Sequence, residues 1–251
     1  MKVRTVDLNC DVGEGAGVEP ELLPWVSSAN VACGAHAGDD AIMADTMALA
    51  RKLGVVAGAH PGFADREYFG RRELAMSAEE IGALVSGQLK ALAAYGKFHY
   101  VKPHGALYNM AARDRVVADA VAQAVAAYDS TLALLGLAGG ELLAAGEAAG
   151  LRVVSEVFAD RGYDDDGRLL PRDAPGALIE DPAEVERRVW TMVAEGRVLS
   201  SGGQWVEIRA ESVCVHGDGP HAVAFARRLR EALDGGDLLV RSFVETGEEG
   251  A

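Results

Sequence analysis

The chain has 251 residues, of which 49% are hydrophobic and 25% are charged, and its formal net charge at pH 7 is −14. This composition is typical of a soluble globular protein with a sizeable core, and one α/β barrel would use nearly all of the length. The negative charge would repel a polyanion over most of the surface, so the sequence argues against nucleic-acid binding.

Targeting and membrane segments are not evident in the chain. No run of about 18 uncharged apolar residues occurs, and the first residues lack the apolar centre of a signal peptide. The three cysteines, Cys10, Cys33 and Cys214, form no CxxC pair, which in such a chain favours reduced thiols. We therefore expect a cytoplasmic protein without a membrane partner.

Apolar, strand-like runs recur along the chain, and helical patterns follow most of them. The runs cover residues 3–9, 27–34, 55–60, 98–104, 131–137, 151–158 and 211–217. Helical patterns with start or stop signals cover residues 40–54, 77–95 and 182–196, another begins at Asp114, and a last one ends at Gly235. Apolar strands that alternate with helices predict a parallel sheet covered by helices. The sequence therefore predicts an α/β fold, a single barrel-like domain over residues 1–251 with seven strands and room for an eighth.

Two segments interrupt the alternation of strands and helices. Residues 158–181 lack a regular pattern and are too long for a simple connector, which usually indicates a binding loop or lid. Residues 197–209 have the pattern of a small hairpin around Gly202 and Gly203. The sequence thus predicts a barrel with one long loop and one hairpin added to it.

Polar side chains stand at the carboxyl ends of the predicted strands. In chain order they are Asp7, Asn9, Asp11, His36, Asp39, His60, Lys102, His104, Glu156, Asp160, Arg161, His216 and Asp218. In parallel α/β barrels the loops of all strands converge at that rim, and active sites form there. The sequence therefore predicts an active site at this rim.

The strand-like run of residues 98–104 ends on Lys102 and His104. A buried ammonium without a partner is strongly disfavoured by desolvation, so a structural role for Lys102 would require a partner carboxylate or an exposed strand end. The alternative is a functional site.

Several of these residues also have simpler interpretations when each is taken alone. Asp39 suits the N-cap of a helix, and His60 before Pro61 suits a turn with a satisfied core histidine. The glycine-rich residues 13–17 match neither the dinucleotide-binding nor the P-loop pattern, so the chain has no recognisable phosphate-binding loop. The set of rim residues, rather than any one member, indicates a site.

Six sequence blocks together resemble those of a known family. They are DLNCDVGEG at 7–15, NVACGAHAGDD at 30–40, GAHPGFAD at 58–65, VKPHGALYN at 101–109, EVFADRGYDDDGRLLPR at 156–172 and VCVHGD at 213–218. They resemble the LamB/YcsF family, which comprises the A subunits of 5-oxoprolinase, without a departure inside the blocks. The resemblance implies a TIM-like β/α barrel similar to the glycoside hydrolase/deacetylase superfamily. It also implies a protein that works with two further subunits, B and C, to open 5-oxo-L-proline to L-glutamate with ATP hydrolysis.

The implied reaction assigns roles to the rim residues. A five-membered lactam is a poor electrophile, so we expect phosphorylation of its amide oxygen, addition of water and loss of phosphate. These steps need cations near developing negative charge, a base for water and an acid for the ring nitrogen. The catalytic candidates are Asp7, Asp11, His36, His60, Lys102, His104 and Glu156, and the substrate-binding candidates are Asn9, Asp39, Arg161 and His216.

Two other functions use the same rim. Asp11, His36 and His60 could bind a divalent metal that activates water, as in deacetylases of similar fold, which would make the chain a metal-dependent amide or carbohydrate hydrolase. The chain could also be a non-catalytic assembly subunit. The sequence leaves open whether ATP and its Mg²⁺ bind this chain or a partner, which residue is the general base, and whether the chain forms a homo-oligomer.

Overall fold

A closed parallel barrel forms the centre of the computed structural model, which describes residues 4–215, 222–235 and 238–245. The strands are β1 (Arg4–Val12), β2 (Ser28–Ala32), β3 (Val56–His60), β4 (Tyr100–Val101), β5 (Ala133–Leu137), β6 (Arg152–Phe158), β7 (Arg197–Leu199), β8 (Trp205–Glu207), β9 (Ser212–Val215) and β10 (Leu238–Val240). Strands β1 to β6 pair in order, β6 pairs with β9, and β9 pairs with β1, so that seven parallel strands close a ring. The predicted TIM-like barrel is confirmed.

An eighth parallel strand extends the sheet without entering the ring. β10 pairs with the first residues of β1, from Arg4 to Val6, whereas β9 pairs with the residues from Asp7 to Cys10. β1 has nine residues, which makes it long enough to pair with β10 and β9 in succession.

Helices cover the outside of the barrel, and local capping explains where several of them begin and end. They are α1 (Glu19–Leu22), α2 (Asp40–Leu53), α3 (Ala78–Ala93), α4 (Gly105–Arg113), α5 (Arg115–Tyr128), α6 (Glu141–Ala148), α7 (Pro182–Trp190) and α8 (Ala222–Asp234). The Asp39 carboxylate accepts a hydrogen bond from the backbone N–H of Ile42 at the start of α2, and Gly54 ends that helix with φ 69°. Ser77 and Glu80 form the predicted capping box of α3. Within the described ranges, none of these helices is long and apolar enough to cross a membrane.

The sequences of α4 and α6 contain only weak start and stop signals, so the sequence patterns do not predict the full extent of these two helices. α4 follows His104 and α6 follows Gly140, and neither preceding residue makes a side-chain cap. α4 is stabilised by tertiary packing instead, because it buries Leu107 and Ala111 in the core.

The barrel interior is layered, with apolar side chains at one level and polar side chains at another. Tyr100 is fully buried and belongs to a small apolar cluster with Val56, Ala133, Leu135 and Val154. The ring of Phe243, which follows β10, lies 5.1 Å from the Tyr100 ring at an angle of 70°. A Cβ at Gly58 would lie 2.3 Å from the Tyr100 ring, so only glycine leaves room for it. The Tyr100 hydroxyl donates to Asn30 Oδ1 at 2.6 Å, where the polar layer begins.

The long segment after β6 folds across the carboxyl end of the barrel. It contains two isolated antiparallel bridges, one between Arg161 and Leu178 and one between Tyr163 and Leu169. β7 and β8 form an antiparallel hairpin beside it, with Leu199 opposite Trp205. The Ser200 hydroxyl donates to Asp165, which connects the hairpin to the segment.

Candidate active site

A cavity of about 590 Å³ opens at the carboxyl ends of the barrel strands. We call it the cleft, and its lining includes Asp11 of β1, His60 of β3, Lys102 after β4 and His104 at the start of α4. The segment that follows β6 forms another wall, to which Arg172 contributes. The sequence-predicted rim is therefore the part of the barrel that carries this cavity.

Lys102 is a buried cation with two carboxylate partners. Its side chain is 2% exposed, and Nζ lies 2.9 Å from Glu156 Oε1 and 3.1 Å from Asp11 Oδ1. It also lies 3.3 Å from Asn9 Oδ1 and 3.1 Å from Cys214 Sγ. Burial by itself would lower the pKa of Lys102, but Asp11, Cys214 and Glu156 raise it well above the usual value. A structural role for buried Lys102 would require partner carboxylates, and Asp11 and Glu156 provide them. Lys102 is positively charged and lines the cleft.

Asp7 lies in the polar layer and does not line the cleft. Its carboxylate accepts hydrogen bonds from the hydroxyls of Ser27 at 2.7 Å, Ser28 at 2.6 Å and Ser212. Burial raises the pKa of Asp7 to about 6 despite these hydrogen bonds. This environment gives Asp7 a role in holding β1, β2 and β9 together.

Three histidines from neighbouring strand ends converge beside Glu14, and we call these four residues the histidine cluster. His60 Nε2 lies 3.0 Å from His104 Nδ1, and the rings of His36 and His104 stack in parallel with their centroids 3.8 Å apart. Glu14 Oε1 lies 3.3 Å from His36 Nε2 and 3.5 Å from His104 Nδ1. Residues far apart in the sequence thus place several basic ring nitrogens around one carboxylate.

Two of these histidines are held in their neutral form by their surroundings. Burial lowers the pKa of His36 far below its usual range, and it lowers the pKa of His104 to about 3. Neighbouring histidines lower both pKa values further, because two imidazolium charges at this distance repel. Neutral imidazoles can act as bases or as metal ligands without first losing a proton.

The cluster has the composition of a possible metal site. One donor atom from each of its four residues lies within 4.8 Å of the others. The sequence candidates for such a site were Asp11, His36 and His60. The structure brings the two histidines together, adds Glu14 and His104, and leaves Asp11 beside the group, with Oδ2 3.5 Å from His60 Nε2.

Some of the predicted site residues are engaged elsewhere. Asp39 caps α2, and Asn9 is buried in the polar layer, where its amide nitrogen donates to Glu156 at 2.9 Å. Arg161 lines the cleft, but its guanidinium donates to the backbone carbonyls of residues 170 and 177 and so braces the long segment. His216 lies outside the described residues.

Three other cleft residues were not among the sequence candidates, although each lies in one of the six family-like blocks; these are Glu14, Tyr108 and Arg172. Glu14 lies in a glycine-rich turn that matches no phosphate-binding motif. Tyr108 is four residues after His104 on α4, a spacing that places both on one helix face and could have identified it. Its hydroxyl is buried at the cleft beside the Glu156 carboxylate, and burial together with that carboxylate raises the pKa of Tyr108 well above its usual value. Arg172 is exposed at the cleft wall and makes no ion pair within the described part of the chain.

Comparisons with known proteins agree on one group of relatives. Residues 6–247 match the sequence model of the LamB/YcsF family. A protein from Tolumonas auensis, named as the A subunit of 5-oxoprolinase, is 50% identical over 238 residues, which cover 91% of this chain and 95% of that protein. A protein of the same name from Brevibacillus brevis is 50% identical over 248 residues, which cover 95% of this chain and 98% of that protein. The crystal structure of a lactam utilization protein from Thermus thermophilus superposes with a TM-score of 0.89 at 46% identity, covering 95% of this chain and 100% of that one.

Proposed function

Because the chain belongs to the LamB/YcsF family, we propose that it is the A subunit of a 5-oxoprolinase, a hydrolase that opens the cyclic amide 5-oxo-L-proline to L-glutamate. The observation that carries this proposal is the 50% identity to two proteins of that name over nearly the whole chain. The similar fold of a protein named for lactam utilization supports the same class of substrate.

The cleft contains the chemical groups that lactam opening needs. The Asp11 carboxylate lines the cleft beside His60, where it can accept a proton from water and later return that proton to the ring nitrogen. The ammonium of Lys102 offsets the carboxylates of Asp11 and Glu156, which would otherwise oppose the negative charge that develops on the reacting amide. The buried Tyr108 hydroxyl lies at the same cleft, beside the Glu156 carboxylate.

The carboxylate of 5-oxoproline requires a cation in a protein that is acidic as a whole. Five arginines line the cleft; these are Arg71, Arg113, Arg161, Arg168 and Arg172. Arg113 pairs with Glu73, and Arg168 pairs with Asp166. Arg161 donates to backbone carbonyls of the long segment, and Arg71 lies over the Phe69 ring, 5.1 Å from its centroid. Exposed Arg172 is therefore the best placed to bind the substrate carboxylate.

ATP enters the proposal as a co-substrate of the complex. The lactam resists direct hydrolysis, and the sequence has no recognisable phosphate-binding loop. We infer that subunits B and C handle the nucleotide and its Mg²⁺ at least in part, and that the assembled enzyme is cytoplasmic, in keeping with three buried free cysteines.

The test is glutamate formation from 5-oxoproline by the purified chain by itself, then with the partner subunits added one at a time and together, with and without ATP. We expect turnover only with the partners and ATP.

Substitution His104→Gln should abolish turnover while leaving co-purification with the partners intact, which would exclude a purely assembling role. The matched control is His99→Gln, which changes a histidine just before β4, at the opposite end of the barrel. Rapid ATP-independent opening by the isolated chain would instead favour a metal-dependent hydrolase.

A further inference from the structure

Backbone carbonyls determine which nitrogens of His60 and His104 carry protons. His60 Nδ1 lies 2.8 Å from the carbonyl oxygen of Lys102, and His104 Nε2 lies 2.8 Å from the carbonyl oxygen of Phe69. A carbonyl oxygen can only accept a hydrogen bond, so both of these ring nitrogens must donate. In a neutral imidazole the other nitrogen then presents a lone pair.

The two remaining nitrogens therefore direct lone pairs at each other. His60 Nε2 and His104 Nδ1 are 3.0 Å apart, with Glu14 Oε1 and Asp11 Oδ2 each 3.5 Å from one of them. Two facing lone pairs and two nearby carboxylates repel one another unless a cation joins them. That cation is either a proton shared by the two rings or a metal ion.

The donor set favours the metal ion. Two imidazole nitrogens bound to one zinc ion at about 2.0–2.1 Å lie roughly 2.9–3.4 Å apart, depending on the angle at the metal. The observed separation of 3.0 Å suits such a pair and equally suits a shared proton. A shared proton would join only these two nitrogens, whereas a metal ion can also take the donor atoms of Glu14 and His36 that lie beside them.

Glu14 and His36 lie beside this pair, and the His36 ring, now stacked parallel to that of His104 at 3.8 Å, must turn out of the stack to direct a lone pair at the same ion. His36 is 1% exposed, and its Nδ1 has no hydrogen-bond partner among the described residues. Its other ring nitrogen lies 3.3 Å from the Glu14 carboxylate. Three imidazoles and one carboxylate suit first-row transition-metal ions such as Zn²⁺, whereas Mg²⁺ and Ca²⁺ prefer sites made of oxygen atoms alone.

We propose that Glu14, His36, His60 and His104 bind one divalent transition-metal ion of the zinc class at the floor of the cleft. The carbonyls of Lys102 and Phe69 orient the ligating rings, as the outer hydrogen bonds of metal-binding histidines commonly do. Binding of the ion does not depend on the proposed function. A catalytic role of the ion does rest on the proposed function, since a bound ion would act as a Lewis acid beside the lactam.

The experiment uses the untagged full-length chain, freed of metal by dialysis against a chelator and titrated with Zn²⁺ by isothermal titration calorimetry. We expect one equivalent to bind per chain and the thermal midpoint of unfolding to rise with Zn²⁺. His60→Gln, His104→Gln and Glu14→Gln should each weaken binding, the two histidine variants by at least about 100-fold. The matched control His99→Gln should bind as tightly as the original chain.

A variant that fails to fold would be identified by circular dichroism, and the remaining variants would then carry the test. Binding of Co²⁺ provides a second measurement, because visible absorption bands of the bound ion should appear with the original chain and disappear with His104→Gln. Absence of Zn²⁺ binding by the folded original chain would overturn the proposal and assign the shared proton to His60 and His104. Equal binding by the three cluster variants would also overturn it. Neither measurement uses substrate, ATP or partner subunits. Failure of the metal-site proposal can therefore be distinguished from failure of the proposed function.

Discussion

Lys102 shows how a single residue can combine stability with chemistry. Its ammonium lies between the carboxylates of Asp11 and Glu156, and all three side chains are largely or fully buried. The positive charge therefore compensates two buried negative charges, and it also faces the cleft. A buried ion pair of this kind adds little net stability, but removing one partner leaves an uncompensated charge.

We predict that Lys102→Met lowers the free energy of unfolding by about 3–5 kcal/mol, because both carboxylates lose their cation. Urea denaturation of the purified chain measures this loss. The matched control is Lys97→Met, at an exposed position before β4, which should change the free energy of unfolding by less than about 0.5 kcal/mol.

The double variant Lys102→Met/Glu156→Gln tests whether the uncompensated carboxylates cause the loss of stability. It should recover part of the lost stability, because it removes one of the two uncompensated carboxylates along with the lysine. Strictly additive losses in the two single variants would show that Lys102 and Glu156 do not stabilise each other.

At the scale of structural elements, the loops that follow β3 decide how the histidine rings pack. Gly70 has φ +64°, a conformation that glycine adopts without strain. A Cβ at this position would lie 2.8 Å from His36 Cβ and 3.1 Å from His104 Cδ2. Gly62 is similar, since its Cβ would lie 2.8 Å from His36 Nδ1. Both glycines allow the backbone to approach the stacked rings closely.

We expect Gly70→Ala to displace His36 and His104 and to reduce turnover by the reconstituted enzyme about 100-fold, since misplacement by about 1 Å can cost that much. Steady-state glutamate formation measures the effect. The control Gly82→Ala adds the same methyl group within α3, where nothing lies within 4 Å of the new atom. That control should keep full turnover and gain about 0.5–1 kcal/mol in stability. Unchanged turnover by Gly70→Ala would indicate that the ring positions do not matter for the reaction.

At the scale of the whole molecule, the net charge is negative, but positively charged side chains are concentrated at the cleft. The chain has 38 acidic and 24 basic residues, yet five arginines converge on the one cleft. The surface as a whole repels anions, so binding of an anionic substrate depends on this local concentration of positive charge.

We therefore predict that Arg172→Gln raises the KM for 5-oxoproline several-fold with a smaller change in kcat, because an exposed contact to the non-reacting carboxylate contributes mainly to binding. The difference from the original chain should shrink as ionic strength rises, since salt screens exposed charges. Arg152→Gln, which removes the same charge at the opposite end of β6, is the control. An equal rise in KM in both variants would attribute the effect to net charge rather than to contact with the substrate.

Local signals were sufficient for much of the architecture. The cap at Asp39, the glycine stop at Gly54 and the capping box of Ser77 and Glu80 act within a few residues, so the sequence alone predicts them and the structure confirms them. The apolar runs likewise predict the barrel strands, because a parallel strand that is covered on both faces is mostly apolar. The helices α4 and α6 and the strand β10 depend on packing against the rest of the barrel, and their own sequences signal them only weakly.

The same holds for the candidate active site: chain direction predicts part of it, and long-range packing determines the rest. The sequence placed His36, His60, Lys102 and His104 at one rim, because chain direction in a parallel barrel determines which end each residue occupies. Only the tertiary structure decided that Glu14 joins the histidines and that the Lys102 ammonium pairs with Glu156. Glu14 and His104 are far apart in the sequence, and the distance between their side chains is set by barrel closure and by the loop conformations. Proximity of that kind has no local signal, because it arises from the packing of the whole chain.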